Sequence, residues 1–590
     1  MPPEIRTLSL LLFASVVTAQ SPAVDAPGSL PKIIWQPVLD FGAIPHAGPV
    51  TSVNPFVSYT HLGTDFGFHG PAESLLNWSN GQIEADLTGL DLWAGMWYSL
   101  EGMAASTGES LDFAAPYPAP VRPASQPKIT KIAVQARGHG QLKLEIKSPG
   151  EDLLWEHRFS LADTDSPALE IEVDPLVLRR AKFLLWTAEP SSRIVLNKVE
   201  LGVETGSTTV DDFALRASFA KLARCYSQGT GLLRDRAHVP HGAFDSIPAS
   251  GFFALATAAV SAPEIGLVSP EAARRILHEV ADTLMAIDTA HGLLPHFVRE
   301  TNGVHIIHPG TEYSSVDTAI AYQSLLLAAA ILGDAEVMAR VLSAIQEIDF
   351  ATLTLPDGTI SHGMREDGKT VIPYSWRDWG GESALVVLLR ALADPTAPAA
   401  MMANTGHPWQ GTGFIAEIQS LFHPDFAQPI PDALGVNWLT VRRSHLAAQK
   451  QYWPKHHPEC TAAKLNLYGL SASESVTGTS YQVNGVDLTG QDSLQPHYLM
   501  MSAALDPDPA LVRASLRQLL DNGWLAPWGM VETFSADGHQ YLPMIGSLNA
   551  GFEALGAYHF VTNSRQERNV IYDASRSLPE MRAAMRVFYR

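Results

Sequence analysis

The stretch 314–333 has the sequence SSVDTAIAYQSLLLAAAILG and sets the fold class of the C-terminal part of the chain. Its apolar residues recur at helical spacing and cover nearly the whole circumference, as is typical of a helix buried between other helices. Ser314 and Asp317 match a capping box, and Gly333 suits the position that follows a helix. The stretch therefore predicts a buried helix between Ser314 and Gly333.

Helical patterns of the same kind recur along the C-terminal part of the chain. They cover residues 211–228, 272–287, 336–348, 382–393, 508–523 and 547–561. About ten to twelve helices are expected by eye, since boundaries are hard to place from sequence. Long loops rich in Gly, Pro, Trp, Tyr and His separate them, and no short repeat is visible. We therefore expect residues 206–590 to form an (α/α) toroid, with loops at one end lining a cleft.

The N-terminal part has the pattern of strands. Short segments with alternating apolar residues lie at 128–136, 141–148, 168–173, 181–188 and 193–203. Turn-rich breaks such as 138–140 separate them, which predicts a β-sandwich over residues 61–205. Residues 20–60 are rich in Pro and Gly and are expected to be a lead-in or linker. Trp78, Trp93 and Trp97 could bind sugar, but core or interface positions are the favoured interpretation.

The N-terminus resembles a secretory signal peptide. Arg6 precedes the apolar run 8–17, and small residues follow it up to Ala19. We expect cleavage after Ala19, which makes residues 1–19 the signal peptide and the mature protein periplasmic or secreted. The run is too short to span a bilayer, so no membrane insertion is expected after cleavage.

Composition limits the classes of function. The chain has 590 residues, of which 46% are hydrophobic, and a formal net charge of 40 − 61 = −21. Such a chain can bury a large core, and its acidity disfavours nucleic acid as a partner. A neutral small molecule or neutral polymer fits best. The two cysteines, Cys225 and Cys460, exclude a thiolate zinc cluster and could form either one disulfide or two buried thiols.

The loop 374–382 (YSWRDWGGE) carries the strongest chemical signal. It supplies the aromatic residues Tyr374, Trp376 and Trp379, together with Arg377, and ends on Glu382 where a buried helix begins. Desolvation beside indole rings would raise the pKa of the Glu382 carboxyl and suit it to general-acid work. The helix N-terminus favours the charged form instead, and an ordinary first-turn glutamate is the alternative interpretation.

Three more segments combine carboxylates with aromatic or small residues. The first holds Glu312, Tyr313 and Asp317, of which Asp317 could simply complete the capping box. The second, 468–474, places Tyr468 and Glu474 in a loop of small residues. The third, 524–534, contains Trp524, Trp528 and Glu532.

Metal and nucleophile chemistry find little support. His291, His296, His305 and His308 surround one loop, and surface or loop hydrogen bonds are the favoured explanation for them. No GxSxG, P-loop or HExxH motif is present. Neither a metal nor an organic cofactor is expected.

Several of these segments also resemble a known family. The segments 230–260, 313–319, 379–398, 468–475 and 547–560 are similar to the glycoamylase-like domain of the bacterial and fungal β-1,2-glucanase families. The resemblance covers roughly residues 210–565, leaves the β-module outside, and implies an (α/α)6 barrel and inverting hydrolysis of a glucan without a cofactor. Glu382 falls on the motif position of the general acid, and Asp317 on a cleft aspartate of less clear role.

The chain departs from the family pattern at two places. Tyr468 and Glu474 replace the family's Trp and Asp in Trp-Gly-Leu-Thr-Ala-Ser-Asp, and Ala397 stands where the family has His. Both changes touch the expected cleft, so they bear on which glucan linkage and which chain length the protein prefers.

The hypothesis is an exported glycoside hydrolase that cleaves a neutral β-glucan, with β-1,2-linked glucan the first substrate to test. Glu382 would protonate the leaving oxygen, and Asp317, Glu312 or Glu474 would activate water. The expected substrate-binding residues are Arg236, Tyr313, Tyr374, Trp376, Arg377, Trp379, Tyr468, Trp524, Trp528 and Glu532. A polysaccharide lyase on a helical toroid and a non-catalytic glycan-binding protein are the alternatives.

Overall fold

The computed structural model describes most of the chain beyond the predicted signal peptide. The described residues are 30–40, 48–49, 59–64, 67–70, 72, 74–79, 81–99, 128–148, 150–162, 168–174, 177, 181, 183–204, 209–227, 229–237, 244–376, 381–396, 407–433, 435–477, 480–542 and 544–589. The predicted signal peptide and the predicted site residues Arg377 and Trp379 lie outside these ranges.

Within the described residues, the N-terminal part forms one antiparallel sheet of twelve strands. They are β1 (Ile33–Asp40), β2 (Gly48–Pro49), β3 (Tyr59–Thr64), β4 (Gly67–Gly70), β5 (Leu76–Ser79), β6 (Gln82–Asp86), β7 (Trp93–Ser99), β8 (Lys128–Lys147), β9 (Leu153–Leu161), β10 (Leu169–Glu172), β11 (Phe183–Ala188) and β12 (Arg193–Glu204). The pairing order is β2-β5-β6-β12-β8-β11-β7-β3-β4, with β1 on β12 and both β9 and β10 on β8.

Strand β8 connects the two ends of this sheet, and it corrects one expectation. Residues 138–140 were expected to be a turn between two strands, but β8 runs through them without a break. Its first part pairs with β12 and β10, and its second part pairs with β9 and β11. Gly138 and Gly140 adopt φ 122° and 97°, and a Cβ at Gly138 would lie 1.9 Å from the carbonyl oxygen of Arg193, so glycine lets β8 continue close to β12.

The sheet also begins earlier in the chain than expected. Strand β1 lies inside the stretch 20–60 that the composition assigned to a lead-in, and it pairs antiparallel with β12. The side chain of Trp78 is fully buried, as expected for a core residue. Trp97 packs edge-on against Phe183, with ring centroids 5.4 Å apart.

The C-terminal part is predominantly helical. The described helices are α1 (Val210–Arg224), α2 (Ile247–Val260), α3 (Pro270–Ala286), α4 (Ser315–Leu332), α5 (Ala335–Gln346), α6 (Phe350–Leu353), α7 (Gly381–Ala393), α8 (Gly413–Glu417), α9 (Trp438–His456), α10 (Thr461–Lys464), α11 (His497–Ala503), α12 (Pro509–Asp521), α13 (Ser547–Arg565), α14 (Val570–Ser577) and α15 (Pro579–Met585).

Short strands connect the helices. They are β13 (Tyr226–Ser227), β14 (Leu232–Arg234), β15 (Arg236–Ala237), β16 (Asp245–Ser246), β17 (Phe297–Thr301), β18 (Val304–Ile307), β19 (Tyr313–Ser314), β20 (Gly363–Met364), β21 (Ala472–Glu474), β22 (Tyr481–Val483), β23 (Ser493–Leu494), β24 (Leu525–Ala526), β25 (Gly529–Met530), β26 (Thr533–Ser535), β27 (Tyr541–Leu542) and β28 (Ile545–Gly546).

Helix α4 confirms the prediction made from residues 314–333. The Oγ of Ser314 accepts a hydrogen bond from the N–H of Asp317 at 3.2 Å, and Gly333 ends the helix at φ 68°. Among the described residues, α4 is a helix long and apolar enough to cross a membrane, with a mean hydropathy of 1.5, but 89% of it is buried inside the protein. Its apolar circumference is explained by burial between neighbouring helices.

Buried helices that start directly after short strands position the site. Helices α2, α4 and α13 follow β16, β19 and β28 without a gap, and they pack in the order α13, α2, α4, α7. All residues of α2 and most residues of α4 and α13 are buried. The loops and strands before these helices therefore meet at one end of the helical core.

The two cysteines are free thiols. Cys225 is buried and Cys460 is partly buried, and no disulfide joins them. Of the two alternatives left open by the sequence, the structure shows separate thiols.

Candidate active site

The start of α4 places two of the predicted carboxylates. Strand β19 pairs with β20, and the N–H of His296 donates to the carbonyl oxygen of Glu312 at 2.8 Å. The capping box is only half formed, because the N–H of Ser314 donates to the carbonyl oxygen of Leu294 at 3.0 Å. The Asp317 carboxylate is therefore not used as a reciprocal cap.

An imidazole joins Glu312 and Asp317. The Nδ1 atom of His296 lies 3.0 Å from Oε1 of Glu312 and 3.8 Å from Oδ2 of Asp317. Burial disfavours a charged ring, but Asp317, Glu312 and Asp235 outweigh it and raise the pKa of His296 to about 9. The hydrogen bond from His296 lowers the pKa of Glu312, so His296 is a cation and Glu312 an anion at neutral pH.

Glu382 lies in the first turn of α7, partly buried, close to this cluster. A Cβ at Gly381 would lie 3.0 Å from the carbonyl oxygen of Ile415, so a glycine lets the start of α7 approach that segment closely. Burial, followed by the charge of Asp317, raises the pKa of Glu382 to about 8, although His296 acts in the opposite direction. Desolvation therefore outweighs both the imidazolium and the helix dipole, and the carboxyl is largely protonated at pH 7.

A second charged group lies before α13. The N–H of Ser547 donates to the carbonyl oxygen of Asp235 at 2.8 Å, and β15 pairs with β28. Nε of Arg236 donates to Oδ2 of Asp235 at 3.1 Å, and the same guanidinium forms an ion pair with Glu474. Burial raises the pKa of Asp235 and of Glu474 against the effect of Arg236.

Glu532 was expected to bind substrate, but the structure places it in the interior. It is 2% exposed and accepts hydrogen bonds from Oγ of Ser473 at 3.0 Å and from the N–H of Gly546 at 3.2 Å. Nζ of Lys221 lies 3.6 Å from Glu532 and 3.0 Å from Glu553. The carboxylate oxygens of Glu532 are therefore occupied by protein groups. These contacts connect the start of α13 to α1.

The predicted aromatic residues divide into two sets. Trp376 is partly buried, donates from Nε1 to Oγ of Ser315 at 2.7 Å, and stacks on His362 with centroids 4.2 Å apart. Tyr374 is 69% exposed. Tyr313 and Trp528 are partly buried against the core. These four have ring surface that a ligand could reach.

Tyr468 and Trp524 were also expected to contact substrate, and the structure places both in the core. Tyr468 is 4% exposed and Trp524 is 3% exposed, and Trp524 stacks on Phe534 with centroids 4.3 Å apart. A ring covered in this way has no free face for a sugar, so both rings pack against protein instead of making the expected contact with substrate.

Three residues that the structure brings into the site had no predicted role there. His296 was assigned to surface or loop hydrogen bonding, although the structure shows it between Asp317 and Glu312. Asp235 lies between two arginines in LLRDR, and an acidic residue flanked by cations next to an apolar strand was an available signal. Tyr481 lies opposite Glu474 in the β21–β22 pair, and no sequence pattern marks it.

One group among the described residues has the side chains of a metal site. The ligand atoms of His296, Glu312 and Asp317 lie within 4.8 Å of one another. Metal ligation needs the unprotonated ring, so a metal ion would have to displace the proton that a pKa of about 9 keeps on His296 at neutral pH. In this structure the three side chains form an ion-pair cluster, with Nδ1 of His296 3.0 Å from Glu312 and 3.8 Å from Asp317.

The arrangement combines the Glu382 carboxyl, whose pKa is raised to about 8, with the Glu312 carboxylate, whose pKa is lowered, and with further carboxyl groups nearby. A carboxylic acid with a pKa near 8 can donate a proton at neutral pH, and a neighbouring carboxylate can orient or activate water. Acid–base chemistry on a polar, uncharged ligand is therefore within reach of these residues.

Comparisons with known proteins show where this fold occurs. A structure of a β-1,2-glucanase from Parabacteroides distasonis matches with a TM-score of 0.55 at 12% identity, over 95% of this chain and 100% of its own. An endo-β-1,2-glucanase from Chitinophaga pinensis, in complex with sophorotriose and glucose, matches with a TM-score of 0.53 at 14% identity, over 64% and 97%. A glucoamylase candidate from Bacteroides caccae matches with a TM-score of 0.53 at 16% identity, over 64% and 98%.

These likenesses concern the fold. No protein-family model matches the chain, and no curated protein matches it. The expected resemblance to glucoamylase-like and β-1,2-glucanase structures is confirmed. It also extends further than expected, because the match to the Parabacteroides distasonis structure includes the N-terminal sheet.

Proposed function

We propose that the protein is an inverting glycoside hydrolase whose substrate is a neutral β-1,2-linked glucan or its oligosaccharides. The observation that carries this proposal is the position of the Glu382 carboxyl beside Asp317 and His296, where burial and the charge of Asp317 raise its pKa to about 8. The fold adds support, because two proteins that share it are β-1,2-glucanases by name and one of these holds sophorotriose.

Glu382 is the general acid in this proposal. Breaking a glycosidic bond requires a proton on the leaving oxygen, and a carboxyl with a pKa near 8 holds one at neutral pH. Nδ1 of His296 lies 3.8 Å from Oδ2 of Asp317, so a cation engages the Asp317 carboxylate. Its role is electrostatic, because its charge raises the pKa of Glu382.

The base belongs to the other charged group. Glu312 and Asp317 both share the His296 cation, close to Glu382. Asp235 and Glu474 are grouped separately around Arg236, and their raised pKa values make them stronger bases than an ordinary carboxylate. We therefore assign water activation to this pair, on the opposite side of the scissile bond from the acid, as inversion requires.

The proposal includes the architecture of the two parts of the chain and the export of the protein from the cytoplasm. An (α/α)6 toroid accounts for the buried helices α2, α4, α7 and α13 and for the loops that meet at their starts. A β-sandwich accounts for the two ends of the N-terminal sheet that share β8. Export by the signal peptide 1–19 would bring the enzyme to the periplasm or the medium, where polymeric glucan is accessible.

The direct test incubates the purified protein with linear β-1,2-glucan and with β-1,3-, β-1,4- and β-1,6-linked glucans. Reducing ends should appear with the β-1,2-linked polymer, and proton NMR at early times should show the α-anomer as the first product. Absorbance from a new C=C bond with uronate polymers would indicate a lyase instead. Binding without new reducing ends would indicate a glycan-binding protein.

A further inference from the structure

Tyr481 belongs to a hairpin that carries a proposed catalytic residue. Strand β22 pairs antiparallel with β21, and Tyr481 lies directly opposite Glu474. Side chains of directly opposite residues lie on the same face of an antiparallel pair, with Cβ atoms about 4.5–5.5 Å apart. The Tyr481 side chain therefore shares the face from which Glu474 meets Arg236.

The charges of four carboxyl groups from separate parts of the chain influence the pKa of the Tyr481 hydroxyl. Burial by surrounding protein raises its pKa, and the charges of Glu382, Glu532, Asp235 and Glu474 raise it further. Tyr481 therefore lies within electrostatic range of Glu382 as well as of Asp235 and Glu474.

The ring is nevertheless open to solvent. Tyr481 is 58% exposed, whereas Tyr468 and Trp524, both predicted to bind substrate, are buried. A side chain that is close to many protein charges and also exposed lies on the wall of a concave surface. A tyrosine there has an apolar face for a ligand and a hydroxyl that can reach polar groups.

We infer that Tyr481 is a substrate-binding residue that supports a sugar ring between the acid and the base, with its aromatic face as the platform. This inference rests on the proposed function and adds a residue that positions the substrate at the point of cleavage. The face of a sugar ring, lined with C–H groups, suits an exposed aromatic plane. The hydroxyl would add a hydrogen bond to the carboxyl side of the site.

The test measures kcat and KM for Tyr481→Ala and Tyr481→Phe on β-1,2-linked oligosaccharides. Because Ala removes the platform, kcat/KM should fall roughly tenfold or more, mainly through KM, as expected when an aromatic contact is lost. Phe keeps the ring and should recover KM to within about threefold of wild type. Calorimetric titration of the same oligosaccharides into Glu382→Gln, with and without Tyr481→Ala, should show the same loss in binding without turnover.

The control is Leu511→Ala, since Leu511 is 54% exposed on α12 and has no place in the proposed machinery. It should leave KM unchanged, and the thermal unfolding midpoints of all variants should match wild type. Unchanged KM in Tyr481→Ala, or a loss in Tyr481→Phe as large as in Tyr481→Ala, overturns the platform while leaving the hydrolase intact. Absence of both binding and cleavage in the wild-type protein overturns the proposed function as well.

Discussion

Nδ1 of His296 lies 3.8 Å from Oδ2 of Asp317, so a cation lies beside a buried carboxylate at the start of α4. This relationship determines how the site is charged. His296 offsets the charge of Asp317, which allows Asp317 to remain in a buried position close to Glu382. The net effect of the surroundings is still to keep the Glu382 proton at neutral pH, because burial contributes most to its raised pKa.

The first prediction concerns the pH dependence of kcat/KM. Glu382 must be protonated to act as an acid, so kcat/KM should fall as pH rises through about 8, the pKa of Glu382. Asp317 raises that pKa, and Asp317→Asn should therefore move the alkaline limb to lower pH. The measurement is a pH profile of kcat/KM for both proteins.

Asp349→Asn is the matched control for this profile. Asp349 also lies at the start of a helix, where it is the N-cap of α6, and it also faces a histidine, His291, at 3.1 Å, but it belongs to a different, exposed pair. Its replacement should leave the alkaline limb in place. An unmoved limb in Asp317→Asn, or an equal shift in both variants, contradicts the assigned electrostatic role.

The second prediction concerns the buried Lys221. Lys221 is 1% exposed and pairs with Glu553 at 3.0 Å, close to Glu532. Lys221→Met would leave two buried carboxylates without their cation, which should lower the free energy of unfolding by about 3–5 kcal/mol. Urea denaturation followed by fluorescence measures this change.

The exposed pair Lys464–Glu459, at 3.6 Å, gives the comparison for that measurement. Lys464→Met should change the free energy of unfolding by no more than about 0.5 kcal/mol, as is usual at the surface. Equal effects in the two lysine variants would show that the buried pair does not hold α13 to α1.

The third prediction concerns Gly363 in β20. A Cβ at this position would lie 1.9 Å from the carbonyl oxygen of Tyr313, and φ is 145°. Gly363→Ala should separate β20 from β19 and displace the start of α4, lowering both the thermal midpoint and glucan hydrolysis. Gly490→Ala shares a positive φ, 73°, but meets nothing within 4 Å, so it should show backbone strain alone, about 1–2 kcal/mol, with activity retained.

Local features of the fold were predictable from sequence, because they depend on neighbouring residues. The α4 helix, its Ser314 cap and its Gly333 end follow from a pattern within twenty positions. The continuity of β8 through residues 138–140 was not predictable, because Gly138 and Gly140 also suit a turn. Only pairing with β12 at residues far along the chain makes that segment continuous.

The candidate site was predictable in part for the same reason. Glu382 and Asp317 stood out by position and by resemblance, and the structure brings them together. Their partner His296 did not stand out, since its contact with Asp317 depends on how β17 and α4 pack. Tyr468 and Trp524 show the opposite error, because aromatic residues in a loop sequence cannot be told from core residues until burial is known.

Replacement of Glu382 by glutamine is the most direct measurement of the central claim. The variant keeps the shape of the side chain but has no proton to donate, so kcat on β-1,2-glucan should fall roughly 10²–10⁴-fold while oligosaccharide binding persists. Glu336 also lies in the first turn of a helix, α5, but it is exposed. Glu336→Gln should therefore retain wild-type kcat, which shows that the loss in Glu382→Gln is not a general effect of replacing a first-turn glutamate. Near-normal turnover by Glu382→Gln would contradict the assignment of Glu382 as the general acid.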